Sequence, residues 1–173
     1  MPEPPPRHDL KVRTLARSDW GRLRAARLAA LAEAPYAFAS TLAREQAYLP
    51  QTWQERAGSG ATVGAFAGDQ ILGLATGLPE QHLTGVATDA WHLVGMWVAP
   101  ALRGQGVADR LVAAVCERAA TAGAPAVSLW VTEVNTRARA FYRRLAFVPT
   151  GRRQPVRPEE PDHWEEEMVR RLD

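Results

Sequence analysis

Met96-Trp97-Val98-Ala99-Pro100-Ala101-Leu102-Arg103-Gly104-Gln105-Gly106-Val107-Ala108 is the stretch on which the reading of this chain turns. Before it, Trp91 to Val98 has the bulk and β-branching of a strand, and Pro100, with no amide hydrogen to give a ladder, stops it. After it, Gly106 to Ala122 sets Val107, Leu111, Val115 and Ala119 four apart, with Ala108, Val112 and Cys116 beside them, which is one buried helical face. A strand, a glycine turn and an amphipathic helix in succession bring backbone N–H groups together at the positive end of the helix, and a pyrophosphate suits such a nest. Gly104 and Gly106 let a ligand approach with no Cβ in the way, although a glycine pair by itself also fits a plain tight turn. The run is not a P-loop, because no Lys-Ser/Thr follows the glycines, and its spacing departs from the dinucleotide fingerprint.

Outward from this centre the order of elements can be read. The proline-rich first residues form a loose tail, and Lys11 to Thr14 a short strand. Ser18 caps a helix running to Ala34, with Asp19 at its positive end and an apolar stripe of Leu23, Ala26, Ala30 and Leu31; Pro35 closes it. Ser40 to Tyr48 and Trp53 to Ala57 are helical stretches ahead of the Gly58-Ser59-Gly60 break. Ala61 to Phe66 and Ile71 to Leu78 then alternate as strands around a tight hairpin, Ala67-Gly68-Asp69-Gln70. Pro79 to Ala90 reads as a mobile loop. Beyond Gly123 and Pro125, which end the central helix, come a strand at Val127 to Val131 and a helix capped by Asn135 or Thr136 and reaching Leu145. The strands Phe147 to Arg152 and Trp164 to Leu172, joined by the turn at Pro155 to Pro161, close the chain.

Composition narrows the classes. At 173 residues with 46% hydrophobic content, one domain with a real core is expected. No run approaches the ~18–20 apolar residues of a membrane span, and the first residues lack the regions of a signal peptide, so the expected location is the cytoplasm. Of the 21 basic residues all but Lys11 are arginine; they are spread along the chain and the net charge is only +2, which argues against a nucleic-acid partner. The single cysteine, Cys116, falls on the apolar helix face and reads as a buried thiol. Neither it nor the four histidines show metal-ligand spacing, and no serine or cysteine nucleophile stands with its partners.

Arg103-x-x-Gly106-x-Ala108 after Met96 to Pro100 resembles the coenzyme A signature of the GNAT acetyltransferase superfamily. Asn135, Ala138, Phe141-Tyr142 and Phe147 match the family's second motif, and the similarity extends from about Lys11 to Leu172. The resemblance implies an α/β fold of the α+β type: a mixed, mostly antiparallel sheet of six to seven strands, splayed between the fourth and fifth, with about four flanking helices. It implies acetyl-CoA as acetyl donor, with no metal. Main-chain groups of Met96 and Val98 would meet the pantetheine and thioester. Arg103, Gly104, Gln105, Gly106, Val107 and Ala108 would hold the pyrophosphate, and Asn135 and Tyr142 would line the pantetheine. The acceptor would be a primary amine of a small molecule or an amino group of a peptide or protein. Homodimers are common among similar proteins.

An amine attacking a thioester needs a donor for the growing oxyanion and a proton for the departing sulfur. Val98 N–H is the candidate donor. By resemblance Tyr142 protonates the sulfur, and a phenol, with a reference pKa of about 10, is protonated at neutral pH. Asn135 and Tyr142 are seven residues apart, about two turns or roughly 10 Å along one helix face. Their plainer readings are a helix cap and an aromatic core residue. Glu133 is the leading general base, since it follows the fifth strand; His92 and Glu45 are weaker candidates, equally at home as structural groups. Some relatives carry a glutamate five positions before the asparagine, where this chain has Trp130, and many have glycine where it has Ala146. A non-catalytic acyl-CoA-binding or sensing module is the alternative to an enzyme.

Overall fold

The computed structural model describes residues 10–80 and 89–172. The elements in chain order are β1 (Leu10–Thr14), α1 (Trp20–Glu33), α2 (Leu42–Gln46), α3 (Pro50–Gly58), β2 (Thr62–Ala67), β3 (Gln70–Pro79), β4 (Trp91–Val98), α4 (Val107–Thr121), β5 (Ala126–Thr132), α5 (Thr136–Arg144), β6 (Val148–Pro155) and β7 (Trp164–Arg171). The seven strands follow the order β1-β2-β3-β4-β5-β7-β6. β4 and β5 are parallel, while β1–β2, β2–β3, β5–β7 and β6–β7 are antiparallel. The mixed sheet is the one expected. Five α-helices stand among the described residues where about four were expected, the short α2 included. Most of the expected loop at Pro79 to Ala90, namely 81–88, lies outside the described residues.

The chain falls into two compact units interleaved in sequence. The first takes in the described residues of Met1–Pro35, Ser40–Thr76 and Gly95–Val115; the second holds Tyr36–Ala39, the described residues of Gly77–Val94, and those of Cys116–Asp173. In the first unit β2 and β3 form the anticipated hairpin, turning at Gly68 with φ 55°. β1 adds antiparallel to β2, from Leu10 opposite Ala67 to Thr14 opposite Val63. Leu23, Ala26, Ala30 and Leu31 of α1 are buried as their spacing predicts. Ser18 does not cap the helix. It lies in a short 3-10 turn, Arg17–Asp19, and the buried Asp19 organises the helix start instead. The Asp19 carboxylate accepts from the Ala16 N–H at 2.9 Å and from both terminal nitrogens of Arg13 at 2.7 and 3.0 Å. The Arg13 hydrogen bonds hold its pKa down to about 2. Gly73 lets α4 approach β3: a Cβ there would stand 2.9 Å from Leu111 Cδ1.

In the second unit the β4–β5 ladder runs only from Trp91 opposite Val127 to Leu93 opposite Leu129. It ends there, as a splay of the fourth and fifth strands requires. Two residues later Gly95 has φ 63°, a left-handed residue that re-aims the amides after it. β5 pairs along its whole length with β7, from Ala126 opposite Arg171 to Thr132 opposite Glu165, and Val127, Leu129 and Met168 share the buried face. α4 and α5 end in the same turn. After α4, Gly123 N–H bonds Ala120 O and Ala124 N–H bonds Ala119 O; after α5, Ala146 N–H bonds Arg143 O and Phe147 N–H bonds Tyr142 O. These are Schellman closures, with Gly123 at φ 79° in one and Ala146 at φ 65° in the other.

Candidate functional site

Most of the residues expected to hold the cofactor lie in the first unit. Gly104 and Gly106 have φ 76° and 78°, and a Cβ placed on either meets nothing within 4 Å among the described residues. The glycines are therefore demanded by conformation, and the space before them is open to something outside the chain. At the helix start the Arg110 N–H reaches Gly106 O at 3.2 Å, and the first amides of α4 ahead of it have no intrahelical acceptor. Val107 is buried and anchors the turn. Gly104 through Ala108 are the residues that the sequence reading gives to an anion cradle.

Arg103 does something else with its side chain. Its Nε donates to Val98 O at 3.0 Å, while Nη1 and Nη2 grip the Glu33 carboxylate at 3.1 and 2.6 Å. Trp97 Nε1 donates to the same carboxylate at 3.2 Å, and Ala99 N–H bonds Leu72 O at 2.8 Å. The Arg103 side chain thus braces the glycine turn against the end of β4 and the last turn of α1. Hydrogen bonding from Arg103 holds the Glu33 carboxyl below the usual range, against its desolvation. Glu33 went unnoticed in the sequence because it lies 70 residues from its partner. Met96 sits between the left-handed Gly95 and Trp97, on a half-buried stretch, and Val98 is buried.

Glu45, one of the weaker base candidates, is a structural anion. Its carboxylate accepts from Arg27 Nη2 at 2.8 Å and Arg56 Nη1 at 2.9 Å and is almost wholly covered. Burial alone would push this carboxyl up, but the two guanidiniums keep it ionised and its pKa low. It has no capacity left to take a proton.

The second unit carries the remaining candidates. Asn135 is the N-cap of α5: its Oδ1 accepts from the Ala138 N–H at 3.1 Å, so only the amide hydrogens of its side chain are left to offer a ligand. Two turns on, Tyr142 is 7% exposed, edge-on to Phe141 and Phe147 at 5.1 and 5.6 Å between ring centres. Burial pushes the phenol well above its ordinary pKa. The ring is held from both sides, and the Tyr142 carbonyl takes part in the Schellman closure at Ala146.

Glu133 is bound by Arg153, with Nη2 at 2.8 Å from Oε2 and Nε on Oε1. That pairing holds its carboxyl below the usual range and weakens the expected base. His92 is buried at the start of β4, with Nδ1 2.6 Å from Ser128 Oγ, and desolvation pushes its pKa down. It stands six residues before Val98 in the chain. Glu165, which the sequence showed only as part of the expected closing strand Trp164 to Leu172, has the opposite environment. It accepts from Gln154 Nε2 at 2.8 Å, and burial raises its pKa. Cys116 is a buried free thiol, and no cluster of three or more histidine, cysteine or acidic residues fit for a metal occurs among the described residues. No helix among the described residues is long and apolar enough to cross a membrane.

The profile of the acetyltransferase (GNAT) family matches residues 25–147. The fold is similar to that of a GCN5-related N-acetyltransferase from Kribbella flavida, at 25% identity and TM-score 0.68 over 95% of this chain and 99% of that one. It is also similar to yncA, a putative acetyltransferase from Salmonella typhimurium solved with acetyl-CoA, at 13% identity, TM-score 0.76 and coverage of 95% and 94%. A ribosomal-protein-alanine N-acetyltransferase from Brucella melitensis matches at 20% identity and TM-score 0.72, over 94% and 99% of the two chains. No curated protein sequence matches.

Proposed function

Since this chain belongs to the acetyltransferase (GNAT) family, we propose that it transfers the acetyl group of acetyl-CoA to a primary amine, of a small molecule or of a peptide or protein, by direct attack on the thioester. The observation that carries the reading is the braced glycine turn, whose left-handed residues face open space at the start of α4. Its amides suit the diphosphate of the donor, and the end of β4 suits the pantetheine that follows.

In this reading Val98 N–H receives the oxyanion as the amine adds, because the Arg103 and Leu72 contacts fix the strand end around it. Tyr142 is the proton donor assigned to the departing sulfur. Burial makes it a weak acid, so its value lies in being protonated at every working pH; it gives up its proton only as charge gathers on sulfur. Asn135 offers its amide hydrogens to the pantetheine region.

Release of coenzyme A thiol across a panel of primary amines tests the activity, and Tyr142→Phe tests the mechanism. The variant should bind acetyl-CoA as the wild type does and lose on the order of 100-fold or more in kcat. Undiminished turnover in Tyr142→Phe would remove the phenol from the reaction. Tight acetyl-CoA binding with no turnover on any amine would favour the sensing module.

A further inference from the structure

The expected base, Glu133, is paired with Arg153, and a second carboxylate, on β7, stands opposite the end of β5. Glu165 of β7 stands directly opposite Thr132 on one side and Gln154 of β6 on the other, and cross-strand partners share a face of the sheet. Thr132 is the last residue of β5, and its carbonyl accepts the Asn135 N–H at 3.0 Å, which ties it to the cap of the helix that carries Tyr142. Thr132 is 3% exposed, yet its Oγ1 has no hydrogen-bond partner among the described residues. A buried hydroxyl left so is costly unless a ligand satisfies it.

The carboxylates around Glu165 are engaged by arginine. Arg153 holds Glu133, Arg157 holds Glu160, Arg139 holds Glu166, and Arg152 holds Glu167 together with Thr150 Oγ1. The hydrogen-bond donor on Glu165 is the neutral Gln154. The face around it carries Trp130 and Thr132 from β5, Gln154 and the Glu167-bound Arg152 from β6, and His163 and Glu167 from its own strand. Burial therefore dominates and raises its affinity for a proton, with Gln154 and then His163 acting against the rise.

We propose that Glu165 is the general base of the acetyl transfer and that the Thr132 hydroxyl orients the acceptor amine beside it. The ammonium gives one proton to a Glu165 oxygen, and that proton leaves to solvent. The freed lone pair forms the C–N bond; the tetrahedral species then collapses and the C–S bond breaks, with its electron pair going to sulfur. Sulfur takes the Tyr142 proton, and the second proton shed by the nitrogen restores the phenol.

The proposal rests on the acetyl-transfer reading, and kcat/KM for the amine measured against pH separates the two. In the wild type the rate should fall as the pH drops through the Glu165 pKa, since the base works only when ionised, and that limb should lie above the ordinary carboxylate range. Glu165→Gln should lose on the order of 100-fold in kcat/KM and with it the acidic limb, while acetyl-CoA affinity by calorimetry stays unchanged. Glu165→Asp should keep the limb at lower kcat, Thr132→Val should raise the amine KM, and Glu117→Gln on exposed α4 should leave the rate as it was. A Glu165→Gln enzyme that turns over with the wild-type profile overturns the proposal, as does a limb abolished by Glu133→Gln instead. If the wild type binds acetyl-CoA but acetylates no amine, the transferase reading itself falls and this proposal with it.

Discussion

Gly106 and Ala146 hold nearly the same left-handed backbone, φ 78° and 65°, at opposite ends of two helices. At the start of α4 the residue is glycine although nothing among the described residues would touch its Cβ; at the end of α5 alanine accepts the strain. Gly123 closes α4 with the same hydrogen-bond pattern as Ala146, so the closure itself favours glycine and tolerates alanine. The difference teaches where a ligand is expected. The Cβ at 146 is carried at the cost of left-handed strain, whereas one at 106 would add a side chain to the turn proposed to hold the donor, in space left open by the described residues.

The comparison breaks most visibly at Gly106. Gly106→Val should lower acetyl-CoA affinity by about 100-fold or more in calorimetry, combining strain with occlusion of the cradle; retained affinity would mean that the turn is only a turn. A smaller loss is expected from Glu33→Gln, which frees the Arg103 brace. Because both side chains are about a third exposed, the pair is discounted for solvent, and a fall of about fivefold in acetyl-CoA affinity, on the order of 1 kcal/mol, is expected. The sign with pH follows from the lowered Glu33 pKa: the brace is complete above the unfolded carboxylate value of about 4.3 and is lost as the pH falls through the lower folded value. Titration of acetyl-CoA affinity in the wild type and in Glu33→Gln would show the two converging in acid. The smallest effect is a gain. Ala146→Gly should raise stability by about 0.5–1 kcal/mol in denaturant unfolding, since relief of the left-handed alanine outweighs the added freedom of the unfolded chain. A loss there would show that the turn depends on its methyl group.

Much of the fold was legible because it is written locally. The hairpin at Gly68, the buried face of α4 and the Asn135 cap each depend on residues a few positions apart. The helix start at Asp19 was misread because Ser18 and Asp19 are both good caps by type, and only the fold brings Arg13 to the second of them. Within the site, the glycine turn at Gly104 to Ala108 was readable, since its left-handed residues need no distant partner. The side-chain pairings were not: Arg103 pairs with Glu33, and Glu133 with Arg153, and no local pattern in the sequence shows either.

What the sequence determined by itself is the order of elements and the glycine turn, which rest on short-range periodicity and glycine conformation, and, through the resemblance of its two motifs, the family. The tertiary structure alone decided which carboxylates are neutralised and which remains basic. A carboxyl's proton affinity is set by burial and by the charges within a few ångströms, and for Glu33, Glu133 and Glu165 those neighbours lie 70, 20 and 11 residues away along the chain, brought close only by packing and strand register.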